Sequence, residues 1–112
     1  MEIGEMIGIC YGTWLKKADK KGRIGIPIEC REAFANGLIV VENDDSFSIY
    51  PIGKIENIPD YSKIMLIHLD RIGRFAIPMT IRRKIFSEDR QDQQHEVIFY
   101  GRKDYFEVKL SN

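Results

Sequence analysis

Apolar residues come in short bursts along this chain, and the spacing inside each burst decides which element it predicts. "TWLKKA" (13–18) and "IMLIHL" (64–69) are β-prone stretches, each ending at an aspartate. Asp-x-x-Gly follows both times, a tight-turn signal in which the carboxylate can accept from backbone N–H groups ahead of it and glycine tolerates positive φ. "RIGIP" (23–27) and "RFAIP" (74–78) then alternate, so Ile24 and Ile26, or Phe75 and Ile77, face one side while Arg23 or Arg74 begins the strand. Pro27 and Pro78 end these strands and suit the first turn of a helix.

The period then lengthens to three or four. "IECREAF" and "MTIRRKIF" read as about two helical turns each, with Ile28, Ala33 and Phe34 inward in the first and Met79, Ile81 and Ile85 inward in the second. A hairpin pattern follows each helix. "GLIVVENDDSFSIYP" turns at Asn43 to Ser46, and "HEVIFYGRKDYFEVKL" turns around "GRKD". Between the halves, "IGKIENIPDYSK" is short and carries Pro59, which predicts a compact turn or helical stub; "SEDRQDQQ" (87–94) is a long polar loop.

The same phrase is therefore written twice. At a constant offset of 51, Asp19 aligns with Asp70, Gly22 with Gly73, Arg23 with Arg74, Ile26 with Ile77, Pro27 with Pro78 and Arg31 with Arg82. Backbone-shaping residues recur together with the apolar positions, which marks a true internal repeat. A half of this size has too few strands to bury a core alone, whereas two halves can share one. The expectation is a single domain, 1–112, with repeat one at 13–59, repeat two at 60–112, and 1–12 as an N-terminal strand or arm.

Composition narrows the class. At 112 residues, 44% hydrophobic and 30% charged, the chain has an ordinary globular mix. Its longest apolar runs, "GLIVV" and "IMLI", are too short to span a bilayer, and "MEIGEMIGIC" lacks the basic region of a signal peptide. A cytoplasmic, nucleoid-associated location and no membrane partner are expected. Cys10 and Cys30 show no metal-ligand spacing, so neither a disulfide framework nor a metal site is expected. Neither cysteine has a positioned base, and His68 (a strand residue) and His95 (a loop residue) have no metal partners in view. No catalytic residue, cofactor or small-molecule substrate is expected.

Net charge is zero, yet its distribution is uneven. From Lys16 to Arg31 the local charge is +4, and from Lys63 to Lys84 it is +5. Both basic clusters coincide with the two Asp-x-x-Gly-Arg motifs. Turn caps and intra-hairpin salt bridges account for Asp19, Gly22, Asp70 and Gly73. Arg23 and Arg74, strand-initial beside a glycine turn, suit phosphate and guanine edges. Lys16, Lys17, Lys20 and Lys21 read as phosphate contacts, and Arg71 and Lys84 extend the second cluster. Trp14, Phe34, Phe47, Phe75, Phe99 and Phe106 fall at strand or helix spacing and read as packing rather than base-stacking platforms.

With these residues in place, "LKKADKKGRIGIPIECREAF" resembles the amino-terminal DNA-binding domain of AbrB-type transition-state regulators. Its occurrence twice in one chain, over roughly 13–51 and 62–110, is similar to the tandem arrangement within the AbrB/MraZ superfamily. The resemblance implies a mostly β protein with short helices: a swapped-hairpin β-barrel of two repeats related by a pseudo-two-fold axis. It also implies a transcriptional regulator, of repressor or transition-state type, that binds double-stranded DNA and forms a homodimer or higher homo-oligomer. The DNA-facing positions it implies are Lys16, Lys17, Arg23 and Arg31 in repeat one, and His68, Arg74, Arg82 and Arg83 in repeat two. The copies differ: Glu32 stands where repeat two has Arg83. The alternative is a protein-binding, antitoxin-like or inhibitory module on the same fold, its basic edge docked on an acidic surface.

Overall fold

A computed structural model describes residues 11–58, 64–86 and 95–111. The strands are β1 (Tyr11–Ala18), β2 (Arg23–Gly25), β3 (Leu38–Glu42), β4 (Phe47–Pro51), β5 (Ile64–Ile67), β6 (Arg74–Ala76), β7 (His95–Arg102) and β8 (Phe106–Leu110). One α-helix, α1 (Met79–Ile85), and two 3-10 segments, Ile28–Phe34 and Ile52–Asn57, complete the described elements. The predicted helical stub between repeats is present at Ile52–Asn57; the rest of that linker, the polar loop 87–94 and all but Tyr11 and Gly12 of the N-terminal arm lie outside the described residues. Among the described residues, no helix is long and apolar enough to cross a membrane.

The two repeats interleave. Six strands form an antiparallel sheet in the order β1-β7-β8-β4-β3-β5, and β2 pairs with β6 in a separate two-stranded ribbon. Within each half, the predicted hairpins β3–β4 and β7–β8 form; every other strand pair among the described residues joins a strand of one repeat to a strand of the other. β1 of repeat one lies along β7, with Trp14 opposite Phe99, and β5 of repeat two lies along β3, with Ile67 opposite Leu38. The protein is mostly β with short helices, as expected, but among the described residues the ladder is open and no closed barrel forms. The reason is local: β2 and β6 bond to each other, leaving β1 and β5 as the two ends of the sheet.

The period-two pattern shows in what is buried. Leu38, Val40, Phe47, Ile49, Val97, Phe99, Phe106 and Val108 meet Ile24, Ile26, Phe75 and Ile77 from beneath the ribbon, together with Cys30, Phe34, Ile81 and Phe86. Phe106 is the hub of this core, with rings edge-on from Trp14 at 5.6 Å and Phe99 at 5.2 Å, and Phe34 stacked at 5.7 Å. A second, smaller layer of Ile39, Val41, Tyr50 and Ile58 packs with Ile52 from the stub.

Four expectations are corrected. Ile28 and Met79 are exposed, at 73% and 46%: each directly follows a proline, ahead of the turn that packs; Phe34 and Ile81 are buried as expected, joined by Cys30 and Arg82. The second hairpin turns at Lys103 to Tyr105, with Lys103 at φ 80°, because Gly101 and Arg102 remain in β7. His95 is a buried strand residue opposite Ala18, stacked on Phe86 with ring centroids 3.9 Å apart. Cys30 is disulfide-bonded; Cys10, the chain's other cysteine, lies outside the described residues. Sequence separation alone carried no sign of that bond.

Candidate nucleic-acid interface

The ribbon is the centre of the site. In its register Arg23 is opposite Ala76, Ile24 opposite Phe75, and Gly25 opposite Arg74. Alternation sends Ile24 and Phe75 into the core and leaves Arg23, Gly25, Arg74 and Ala76 on the other face. Two guanidinium groups therefore share one short strip whose remaining ribbon positions are Gly25 and Ala76. Lys16 reaches the same strip from β1, its Nζ 3.9 Å from where a Cβ on Gly25 would be.

Each Asp-x-x-Gly turn is built alike. Asp19 Oδ1 accepts from the N–H groups of Lys21 and Arg23, both at 2.9 Å, and Oδ2 accepts from Arg23 Nε at 2.7 Å. Asp70 accepts in the same way from Ile72 N, Arg74 N and Arg74 Nε, at 3.0, 2.8 and 2.9 Å. The turn closes with Gly22 N–H donating to Asp19 O, and Gly73 N–H to Asp70 O, with both glycines at positive φ (77° and 82°). The aspartates thus do the backbone work expected of them and also aim the arginines. Asp19 goes further, since its Oδ2 is also 3.9 Å from Arg74 Nη1 and so lies between the two guanidinium groups.

This environment keeps both carboxylates ionised. Burial works against the charge on Asp19, but hydrogen bonds from Arg23 and Lys21 and the Arg23 charge outweigh it and hold the group below its ordinary 3.8. For Asp70 the bond from Arg74 N–H is the leading cause of the same downward shift, reinforced by the Arg74 side chain and Ile72 N–H against a smaller desolvation. The arginines keep outward-facing surface, 39% for the Arg23 side chain and 32% for Arg74.

The remaining predicted positions separate into groups. Lys20, Lys21 and Arg71 are exposed on the two turns that flank the ribbon. Lys17 is exposed on β1, opposite Glu96 in register. Arg83 is exposed on α1. His68 is exposed just past β5, beside Gly37. Lys84 is engaged elsewhere, its Nζ donating to Glu42 Oε2 at 3.1 Å and Asn43 O at 2.7 Å, which fastens α1 to the β3–β4 turn.

Arg31 and Arg82 depart most from the expectation. Arg82 is 8% exposed and donates from Nη1 to Lys21 O and from Nη2 to Lys20 O, both at 3.3 Å. Arg31 is half-buried and donates from Nη2 to Ile26 O at 3.0 Å. Neither presents an open guanidinium face like those of Arg23 and Arg74.

Two residues were overlooked by the sequence reading. Ile72, 60% exposed at the tip of the second turn, takes the place that Lys21 holds in the first, and an open pocket of about 230 Å³ is lined there by Asp70, Arg71, Ile72 and Arg74. Gly25, with its counterpart Ala76, supplies the flat floor of the ribbon. Both signals were present in the repeat alignment as departures from charge and from size.

A 48-residue stretch, 42% of this chain, is 40% identical to the protein named transcriptional regulator MraZ in Mycobacterium ulcerans (strain Agy99). Identity and extent are the same for the proteins of that name in Mycobacterium avium (strain 104) and Mycolicibacterium smegmatis (strain ATCC 700084 / mc(2)155). The chain resembles the MraZ regulators. No family model matches it. The matched stretch spans 34% of the length of these MraZ relatives, about a third. An MraZ-like chain with this ribbon presents two oriented guanidinium groups and up to four further cations around a narrow, flat edge. Chemically, such a surface could take an anion, with fork geometry at its centre and point charges at its rim.

Proposed function

We propose that this chain is a DNA-binding transcriptional regulator that lays the β2–β6 ribbon along double-stranded DNA. The observation that carries the reading is the shared face of Arg23 and Arg74, each held by its own aspartate, on a ribbon whose other outward positions are the small residues Gly25 and Ala76. The major groove admits a two-stranded ribbon, and an arginine fork matches O6 and N7 of guanine. Lys16, Lys20, Lys21 and Arg71 then meet phosphates on either side and position the ribbon without reading sequence. Lys17 and Arg83 lie farther out, as auxiliary phosphate contacts.

Three residues of extended strand cover roughly 10 Å, about three base pairs. A selective site needs more, so the working unit is a homodimer or a higher homo-oligomer placing several ribbons on one operator. Regulation then follows from occupancy, as in a repressor or transition-state regulator acting in the cytoplasm at the nucleoid.

A titration on fragments selected from genomic DNA, repeated over a series of salt concentrations, tests this. Arg23→Ala and Arg74→Ala each weaken the selected site by about 1–3 kcal/mol and relax its sequence preference. Lys21→Ala weakens all sequences alike and lowers the salt slope by about 1. Unchanged affinity in both arginine variants at matched salt would overturn the reading; ribbon-dependent capture of an acidic protein in place of DNA would support the antitoxin-like alternative.

A further inference from the structure

We infer that Arg31 and Arg82 are crossed positioning residues, each holding the basic turn of the opposite repeat in place for DNA. In its consequence for DNA this rests on the function proposed above. The geometry is reciprocal. Arg82, on α1 of repeat two, lies over Gly22 of repeat one: its Nε, Cδ and Cζ come within 2.6–2.8 Å of where a Cβ would stand. Arg31, on the 3-10 segment of repeat one, fills the equivalent space over Gly73 of repeat two. The hydrogen bonds differ in reach. Arg82 donates across to the carbonyls of Lys20 and Lys21, whereas Arg31 donates within its own repeat to Ile26 O and meets repeat two by packing over Gly73; Ile26 N–H in turn donates to Gly73 O at 3.1 Å. In the mirror relation, Ile77 N–H donates to Gly22 O at 2.8 Å. Each turn is thus fastened to the other repeat by one backbone bond and one guanidinium.

This arrangement explains two sequence facts together: both turns end in glycine, and both helical segments carry arginine at the matching position. A fork can lie flat against a bare glycine Cα and still reach carbonyls on the far side, which an ammonium cannot do. Because Lys20 and Lys21 offer their carbonyls to Arg82, their exposed side chains are carried on a backbone fixed from repeat two. A defect at Arg82 therefore appears on the DNA contacted by repeat one, and a defect at Arg31 on the DNA contacted by Arg71. A residue touching DNA directly would disturb its own half.

The test has a variant arm and a wild-type arm. In the full chain, Arg82→Gln should abolish phosphate-ethylation interference at the positions assigned to Lys20 and Lys21 while leaving those of Arg71. Lys21→Ala should then cost less in the Arg82→Gln background than in the wild type, a coupling of at least about 2-fold in affinity. Interference lost in the Arg71 half, or strict additivity of Arg82→Gln with Lys21→Ala, would overturn the assignment. The wild-type arm needs no folded variant: phenylglyoxal should modify Arg31 and Arg82 more slowly than Arg23, Arg71, Arg74 and Arg83 in free protein, and DNA should slow only the latter set. Rapid modification of Arg82 in free protein, slowed by DNA, would overturn the pins. If DNA slowed no arginine at all, the DNA-binding reading would fail, while the free-protein rates would still decide the pins.

Discussion

At the scale of single residues, the two turn glycines are the least replaceable positions on the basic edge. Gly22 sits at φ 77°, and a Cβ there would stand 2.6 Å from Arg82 Nε. Gly22→Ala is expected to lose about 1–2 kcal/mol from the left-handed backbone alone, with the displaced arginine adding to it. Gly53→Ala is the control, since a Cβ there meets nothing within 4 Å; urea titration of both should show a lower midpoint only for Gly22→Ala. The aspartates give a pH prediction. Asp19 and Asp70 both titrate below the ordinary 3.8 in the folded chain. Their contribution to stability is therefore fully present above that value and is lost as pH falls through the depressed folded values. Melting temperature followed from pH 7 downward should fall in the acid range, and Asp19→Asn with Asp70→Asn should start lower at neutral pH and show a flatter acid limb. The capping role of these aspartates was legible, because Asp-x-x-Gly-Arg describes contacts within five residues. The role of Arg31 and Arg82 was not. Their recurrence was plain in the alignment, but where each long side chain ends depends on a turn in the other repeat, far away in sequence.

At the scale of elements, alternation identified the strands well and the helices less well. The β3–β4 hairpin came out as read because Asn43 both closes the turn, its N–H donating to Ser46 O at 3.0 Å, and caps it through Nδ2 to Ser46 Oγ and Ser48 Oγ. Such a turn is written in four residues. The ends of β7 were misjudged at both sides for the opposite reason. His95 follows a polar run and looks like loop, yet it extends the strand because Ala18 of the other repeat is there to pair with it. Gly101 and Arg102 look like turn, yet they stay in the strand against Gly12 and Tyr11. The short helices were misjudged at their first residues, where Ile28 and Met79 match a helical period but precede the packed turn. Closure into a barrel was beyond local pattern altogether, since it depends on whether β2 and β6 join the large sheet or each other.

At the scale of the whole molecule, the repeat is a unit of sequence but not a unit of folding. Among the described residues β1 pairs only with β7 and β2 only with β6, while β5 pairs only with β3. A chain of repeat one alone would keep the β3–β4 hairpin and lose partners for both preceding strands; repeat two alone would keep β7–β8 and lose partners for β5 and β6. An isolated two-stranded hairpin is marginal in water, and Trp14 and Phe34 of repeat one would lose Phe106 of repeat two, against which both rings pack. The two fragments divided between Pro59 and Asp60 should therefore each lack a cooperative thermal transition and near-ultraviolet dichroism as monomers. Mixed at equal concentration they should recover both signals, with a midpoint that rises with concentration as bimolecular assembly requires. Either fragment unfolding cooperatively as a monomer would contradict this. Restored DNA affinity only in the mixture would further tie binding to the ribbon, because Arg23 and Arg74 come from different repeats and meet on one face only when β2 and β6 pair.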